Sequence, residues 1–282
     1  MRIGGAWWEQ AYATLVERRK RTRNEARKLK ADPAPTGPGD AATAALQARV
    51  AAQGWYHSID LGNGVVTPGE FDHRHHLQRY RIPERLDGKR VLDIGTFDGF
   101  WAFEFERRGA SQVVALDLDT FGDLDLPPRA RDKIPAEELA AKLGRGFVIA
   151  HAALGSRVER RIGSVYTMAA EQWGTYDLTH IGNVLVHLRD PAHALARMRG
   201  VTRGTAIISE TVDPDLDWQP GVSLIEYRGG TVNCNWWRFG EQSLVQMVRD
   251  AGFDDVRVVA RFDIPLRDSA RNMHQIVINA AA

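Results

Sequence analysis

From residue 88 onward, short apolar runs alternate with amphipathic segments, and this alternation constrains the fold more than any other feature of the sequence. We predict seven strands, six of them at 89–95, 112–119, 157–166, 204–211, 254–263 and 272–280, and the fourth in chain order within 176–188, a segment that also holds the loop after it. We predict helices between them at 99–110, 135–144, 190–202 and 240–253. Strands that alternate with helices form a mostly parallel sheet with right-handed crossovers. The sequence therefore predicts an α/β fold around a seven-stranded, mostly parallel sheet.

The rest of the chain divides into pieces that do not fit this alternation. Residues 1–53 read as an N-terminal helical arm followed by a Pro/Gly linker. Residues 54–87 have no clean period and are rich in His, Arg, Tyr and Gly, which is typical of lids and binding segments. The domain at 88–282 also carries an insertion rich in Trp, Gly and Pro at about 212–240.

The arm is strongly basic, whereas the rest of the chain is mildly acidic. Residues 18–30 contain eight of the 37 Lys and Arg residues and one of the 36 Asp and Glu residues, which leaves 29 basic and 35 acidic residues elsewhere. Such a run is either a patch for nucleic acid or another anionic surface, or a solvated helix face. The same arm carries Trp7 and Trp8, which could dock on a second subunit and form a homodimer.

Composition limits the class of protein. Cys234 is the single cysteine, which excludes an intrachain disulfide and a cysteine metal cluster. No run approaches the roughly 18 apolar residues of a spanning helix, and the N-terminus lacks a charged-then-apolar signal pattern. We therefore expect a cytoplasmic protein without a membrane partner. The lysine-poor, Ala/Arg/Gly/Asp-rich composition is typical of a bacterial genome of high GC content.

The segment "VLDIGTFDGFWAFEF" at 91–105 places a glycine loop between a strand and a helix. Gly95 allows a tight turn, and Asp117 lies 22 positions later, where a carboxylate can accept ribose hydroxyls. Phe97 stands where a dinucleotide fingerprint would have a glycine. Asp93 and Asp98 make the loop acidic, which suits a cofactor with a positive amino or sulfonium group. The loop therefore favours S-adenosylmethionine over a dinucleotide.

Four motifs in order carry a family resemblance: "WYHSIDLGNGVVTPGEFDHR", the glycine loop with "QVVALDLD", "LGSRVERRIGSVY" and "VLVHLRDP". Over residues 54–280 the chain resembles class I methyltransferases that depend on S-adenosylmethionine, in the branch of the tRNA wobble-uridine carboxymethyltransferases. The resemblance implies a Rossmann-like sheet and S-adenosylmethionine as cofactor. Two departures from the branch are Thr167, where Asp is frequent, and Val186, where "VLYH" has tyrosine.

The resemblance also implies a role for each residue of the cofactor site. Asp93, Gly95 and Gly99 would line the methionine moiety, and Asn183 would lie near the sulfonium. Asp117 would hold the ribose. The adenine would meet residues at the ends of the second and third strands, namely Leu118, Ser164, Val165 and Tyr166. The remaining loop residues complete the expected cofactor set: Thr96, Phe97, Asp98 and Phe100.

Three side chains are candidates for catalysis. His187 follows the fourth strand and is either a general base or a buried histidine that positions its loop. Glu210 ends the fifth strand, where it could bind a substrate cation or cap a neighbouring loop. His57 lies in the lid segment. His180 lies within the fourth strand, and we favour a structural role in which it faces a helix over a catalytic role.

Aromatic residues in two segments are candidates for acceptor binding. Trp55, Tyr56 and His57 belong to the lid segment. The insertion carries a Trp–Trp–Arg run, which either stacks on a flat substrate or plugs the core: Trp236, Trp237 and Arg238. The "HRHH" run at 73–76 lacks metal-ligand spacing, so we expect no metal.

These features leave three functions open. The first is methyl transfer to O, N or C of a small molecule, within specialised metabolism. The second is tRNA modification, which the basic arm favours and the acidic remainder of the chain disfavours. The third is a non-catalytic binding protein, against which the intact glycine loop and Asp117 speak. Carboxylated S-adenosylmethionine is also open as the cofactor.

Overall fold

The computed structural model describes residues 41–232, 235–267 and 272–282. The predicted arm helix, the basic run at 18–30 and the tryptophan pair Trp7 and Trp8 lie outside the described residues, as does Cys234. Within the described residues, no helix has both the length and the apolar character needed to cross a membrane.

Seven strands form one sheet in the order β3-β2-β1-β4-β5-β9-β8. The first five are parallel, β9 runs antiparallel to β5, and β8 runs antiparallel to β9. The bounds of the sheet strands are β1 Arg90–Ile94, β2 Gln112–Asp117, β3 Glu159–Ile162, β4 Tyr176–Gly182, β5 Thr202–Thr211, β8 Asp254–Pro265 and β9 Asn272–Ala281. The predicted seven-stranded, mostly parallel sheet is confirmed.

Eight α-helices are described between and before the strands. Their bounds are α1 Ala41–Ala51, α2 Phe100–Arg107, α3 Pro128–Arg131, α4 Ala136–Leu139, α5 Arg145–Leu154, α6 Ala170–Trp173, α7 Pro191–Val201 and α8 Glu241–Asp250. The helix expected at 135–144 is confined to α4. Its place is taken by α5, which we did not predict, because the chain turns through a left-handed Gly144 before the helix begins.

The two faces of the sheet are covered differently. On one face, α2 packs Trp101 and Phe105 onto β1 and β4, and the lid segment adds Tyr80 and Phe71 to the same cluster. On the other face, α7 and α8 bury an apolar set that includes Leu195 and Leu244. Both faces of the central strands are therefore dry, as expected for parallel strands between helices.

The lid segment and the insertion both pack near the carboxyl edge of the sheet. The lid segment contacts the glycine loop, and the insertion contacts the turn after β4. The lid segment consists of loops, joined by a bridge between His57 and Phe71, and a 3₁₀ helix, His73–Tyr80. The insertion holds a hairpin of β6 Ile225–Val232 and β7 Asn235–Phe239. Strand β7 packs against the short 3₁₀ turn Leu185–His187 that follows β4.

Candidate active site

The carboxyl ends of β1, β2 and β4 meet around the glycine loop. Gly95 has a φ of +75°, and a Cβ there would lie 2.5 Å from Cγ2 of Val184. No side chain fits between the glycine loop and the turn after β4, so Gly95 lets the two loops touch. This contact places Asn183, whose φ is +50°, beside the glycine loop.

Four buried side-chain oxygens at this edge have no hydrogen-bond partner among the described residues. They are Oδ2 of Asp93, Oγ1 of Thr96, Oδ2 of Asp117 and Oδ1 of Asn183. Buried polar atoms in proteins are almost always paired, because an unpaired group loses its hydration without compensation. All four come from the ends of three neighbouring strands or the loops that follow them. They form a polar cradle that is complementary to a ligand rich in amino and hydroxyl groups.

Asp117 is the acid at the end of β2. Its Oδ1 accepts a hydrogen bond of 2.8 Å from the backbone N–H of Leu118, and its unpaired Oδ2 lies 3.7 Å from Nη2 of Arg160. Burial raises the pKa of Asp117 to about 6, and the Leu118 hydrogen bond and the Arg160 charge oppose that rise. The carboxyl group is therefore ionised at neutral pH and has one oxygen available.

Asp93 and His180 form a buried pair beneath the loop. Nδ1 of His180 lies 2.8 Å from Oδ1 of Asp93, and Nε2 lies 3.2 Å from Oγ of Ser209. The imidazole also packs against Trp101 and Phe105 of α2, with ring centroids 5.1 and 5.5 Å away. His180 thus faces a helix, as the sequence favoured, and it holds Asp93 so that only Oδ2 points away from it.

Asp98 has a different role from the one expected. Its Oδ2 accepts hydrogen bonds from the backbone N–H groups of Tyr56 (3.0 Å) and His57 (2.8 Å), and its Oδ1 contacts Nδ1 of His57. The prediction that the Asp98 carboxylate faces the cofactor is therefore not supported, because both oxygens are occupied by the lid segment. Of the two acids in the glycine loop, only Asp93 has an oxygen left for a ligand.

The two phenylalanines of the glycine loop contact the two lid residues that Asp98 holds. Phe97 is 47% exposed at a φ of +52°, and its ring lies 5.8 Å from that of Tyr56. Phe100 is buried and stacks on the imidazole of His57 at 5.2 Å. A bulky residue with positive φ is strained. The glycine loop therefore holds Phe97 in a strained backbone conformation with its ring exposed.

Of the predicted adenine-side residues, Leu118 follows β2, and Ser164, Val165 and Tyr166 follow β3. Oγ of Ser164 accepts a weak bond from the N–H of Tyr166 (3.3 Å), and Val165 is buried. The hydroxyl of Tyr166 is bonded to the carboxylate of Asp125 and accepts from the N–H of Asp190 at 3.1 Å. That hydroxyl is therefore committed to the start of α7. Leu118 is half-buried beside Asp117.

Glu210 supports the turn after β4. Its Oε2 accepts from the N–H of Leu185 (2.8 Å) and its Oε1 from the N–H of Thr211 (3.0 Å). Of the two roles open from the sequence, the geometry supports the cap and not contact with a substrate cation, because the side chain is 1% exposed and both oxygens are occupied. His187 is half-buried at the end of the turn that Glu210 holds.

Glu210→Gln is expected to remove the fall in stability between about pH 4.5 and 8, although its amide nitrogen cannot accept the second backbone N–H. Burial raises the pKa of Glu210 from 4.5 to about 8, so the folded state holds a proton that the unfolded state has released between these values. Stability is therefore lost as pH rises from about 4.5 to 8, and glutamine removes that loss. Thermal melts at pH 5, 7 and 9 test this: a variant whose Tm falls in parallel with the wild type would contradict it.

The aromatic residues of the insertion are tied to the scaffold. The indole N–H of Trp236 donates to the carbonyl of Asp125 (2.7 Å), and that of Trp237 donates to the carbonyl of Leu188 (3.0 Å). Arg238 forms ion pairs with Asp213 and Glu226. These contacts support the reading of the tryptophans as a plug that fixes the hairpin on the turn after β4.

The lid aromatics are held in a similar way. Trp55 is buried, and its indole N–H donates to the carbonyl of Val50 at the end of α1 (3.0 Å). Tyr56 is half-buried between Phe71 and Phe97. Within the described residues, no group of three His, Cys, Asp or Glu side chains is arranged to hold a metal ion.

Comparison with known proteins gives two curated relatives of different kinds. The chain is 33% identical over 115 residues to a magnesium-protoporphyrin O-methyltransferase of Rhodobacter capsulatus, which covers 40% of this chain and 46% of the relative. It is 28% identical over 191 residues to a tRNA U34 carboxymethyltransferase of Pseudomonas putida (strain W619), which covers 64% of this chain and 50% of the relative. The chain thus spans about half the length of the curated relatives it matches.

A solved structure and a family model also match this chain, and both indicate a methyltransferase fold. The N-terminal domain of EvdMO1, crystallised in the presence of SAH and D-fucose, superposes with a TM-score of 0.56 at 19% identity, over 86% of this chain and 97% of that domain. S-adenosylmethionine, the cofactor that the sequence predicts, is the cofactor of the family and is confirmed. A family model described as a methyltransferase domain matches residues 72–258. The chain belongs to this methyltransferase-domain family.

Proposed function

We propose that the protein is an S-adenosylmethionine-dependent methyltransferase with a small-molecule acceptor. The observation that carries the proposal is the cradle of four unpaired buried polar atoms on Asp93, Thr96, Asp117 and Asn183. Its donor and acceptor chemistry fits the cofactor: the carboxylate of Asp117 accepts ribose hydroxyls, and Oδ2 of Asp93 accepts from an ammonium group. When bound, the cofactor supplies an electrophilic methyl group.

The chain's own residues then have to orient the two reactants. Gly95 brings the turn after β4 against the glycine loop, so that Asn183 and Asp93 would hold the same end of a bound cofactor. Glu210 fixes that turn from below through the N–H of Leu185. Alignment of this kind accounts for much of the rate in a displacement reaction.

The charges around the site favour a small acceptor over tRNA. The cations of the hairpin are neutralised, since Arg238 pairs with Asp213 and Glu226, and Arg228 also pairs with Glu226. Arg189 stacks over the Trp236 ring at 4.8 Å. Outside residues 18–30 the chain holds 29 basic and 35 acidic residues. Binding to a phosphate backbone requires uncommitted cations.

His187 remains our candidate for a general base, because it lies at the end of the turn after β4. His187→Ala is expected to lower kcat by about 10²- to 10⁴-fold while the affinity for S-adenosylhomocysteine is kept. Steady-state kinetics with an acceptor found by screening, together with calorimetry of cofactor binding, measure the two quantities. An unchanged kcat would show that His187 only positions its loop.

Two measurements test the proposed function. Isothermal titration with S-adenosylhomocysteine is expected to show one site, and its failure would refute cofactor binding. Transfer of label from S-adenosylmethionine to total tRNA is expected to be absent, for the full chain and for a chain without residues 1–40. Labelled tRNA that depends on residues 1–40 would favour the wobble-uridine activity of the relatives, with the basic arm as its binding element.

A further inference from the structure

A second group of unpaired polar atoms lies beside the cofactor cradle, under the lid segment. Nε2 of His73, Nδ1 of His76 and both amide atoms of Gln275 are buried without a partner. His73 is 1% exposed and Gln275 is 0% exposed. Such groups destabilise a protein unless a partner, such as a ligand or an ordered water molecule, pairs them. None of them belongs to the cofactor cradle.

Ring contacts and strand register place these side chains on one face of the sheet. The ring of His76 stacks on Phe262 at 6.0 Å, and Phe262 is the register partner of Gln275 in the β8–β9 ladder. Register partners in antiparallel strands carry their side chains on the same face. Tyr80 joins the group, since its hydroxyl lies 2.8 Å from Nδ1 of His73 and its ring lies 5.2 Å from Phe262.

The same group reaches the glycine loop through His57. The rings of His57 and His73 lie 5.2 Å apart, and His57 is held by Asp98 of the loop. His73 also packs on Phe100, at 5.7 Å, where α2 begins. Through His57 and Phe100, His73 therefore connects this group to the glycine loop on the side covered by the lid segment.

The chemistry of the three side chains defines what they could bind. Burial lowers the pKa values of His73 and His76, and neighbouring charges lower them further, so both imidazoles are neutral at pH 7. Neutral imidazole and carboxamide groups each combine a donor with an acceptor. Hydroxyl groups do the same, whereas a phosphate or carboxylate calls for a cation that these three residues do not supply.

We infer that His73, His76 and Gln275 form the acceptor subsite, and that the acceptor is a compact, neutral molecule with several hydroxyl groups. This rests on the proposed methyltransferase function and names its substrate class. Methylation of such an acceptor would form an oxygen–carbon bond, break the carbon–sulfur bond with its electron pair left on sulfur, and pass the hydroxyl proton to a base, the role proposed above for His187. The "HRHH" run thereby serves hydroxyl recognition instead of metal binding.

Saturation-transfer NMR on the full chain with saturating S-adenosylhomocysteine tests the subsite. The probes are D-glucose, D-galactose, L-rhamnose, D-xylose and myo-inositol, with glucose 6-phosphate as the anionic comparison. We expect at least one neutral probe to bind, with the signal lost in Gln275→Met and His73→Phe and kept in Asn279→Leu, a matched change on the same strand. Binding by none of the neutral probes, preference for the phosphate, or an unaffected signal in both subsite variants would overturn the inference.

A ligand-free measurement covers the case in which a variant folds poorly. If the Gln275 amide is reserved for a ligand, Gln275→Met removes an unpaired buried polar group, and Tm is expected to stay the same or rise. A marked fall in Tm for Gln275→Met would assign its amide to structure, whereas His73→Phe is expected to lower Tm in either case because it removes the partner of the buried Tyr80 hydroxyl. Calorimetry with S-adenosylhomocysteine separates the two proposals: its failure in the wild type refutes the methyltransferase function, whereas intact cofactor binding with no probe binding refutes only the subsite.

Discussion

Asp117→Asn is expected to weaken S-adenosylhomocysteine binding by roughly 10- to 150-fold, which corresponds to the 1.5–3 kcal/mol of hydrogen bonds to a charged group. Oδ2 of Asp117 is buried and unpaired, while Oδ1 is already bonded to the N–H of Leu118. A ribose hydroxyl can therefore reach one prepared acceptor. Asparagine keeps the shape of the side chain and removes the charge.

The pH dependence of binding gives the same residue a second readout. The pKa of Asp117 is raised to about 6, so the free protein carries a protonated carboxyl group below that pH. Binding to the carboxylate form requires loss of that proton, and the affinity of the wild type is expected to fall as pH falls through 6, approaching about tenfold per pH unit. Asp117→Asn is expected to bind with the same affinity at pH 5 and pH 8.

Asp119→Asn provides the matched control. Asp119 lies two residues further along the same loop, and its carboxylate pairs with Lys142 at the surface. Titration calorimetry of the three proteins from pH 5 to 8 is expected to show the loss of affinity and the loss of pH dependence in Asp117→Asn alone. Equal affinities in all three would remove Asp117 from the cofactor site.

Features that depend on neighbours in sequence were predictable. Gly95, Gly99 and Asp117 follow from a strand–turn–helix pattern and the spacing to the next strand, and the sheet follows from repetition of that pattern. The structure brings Asp93, Asp117 and Asn183 together because the carboxyl ends of parallel strands meet at one edge.

Features that depend on irregular segments were not predictable. The partner of Asp98 is His57, 41 residues earlier in a segment with no period, so the acid looked like a cofactor ligand. The helix α5 was hidden because Gly144 and Gly146 interrupt its start. Gln275 is one of four polar residues in β9, and the register with Phe262 is what connects it to the histidines of the lid segment.

Asp98→Ala is expected to lower the free energy of unfolding by about 3 kcal/mol or more. The substitution leaves the buried N–H groups of Tyr56 and His57 without an acceptor, at about 1–3 kcal/mol each, and also removes the partner of the His57 imidazole. Urea unfolding followed by tryptophan fluorescence measures the change. Asp60→Ala is the control in the same segment, since that exposed acid accepts from the N–H of Gly62 at 2.9 Å and its loss is expected to cost less than about 1 kcal/mol.

Hydrogen exchange distinguishes a clamp from a general contribution to the core. If Asp98 joins the lid segment to the glycine loop, Asp98→Ala is expected to speed exchange at Ser58, Thr67 and Phe71, whose N–H groups bond within the lid, while amides of β1 and β4 stay protected. Asp98→Asn keeps one acceptor oxygen for the two backbone groups and should fall between the wild type and alanine. Uniform loss of protection across the sheet would contradict the clamp. Faster exchange confined to the lid segment would mean that the Asp98 carboxylate, which the sequence assigned to the cofactor, instead holds the lid segment against the glycine loop.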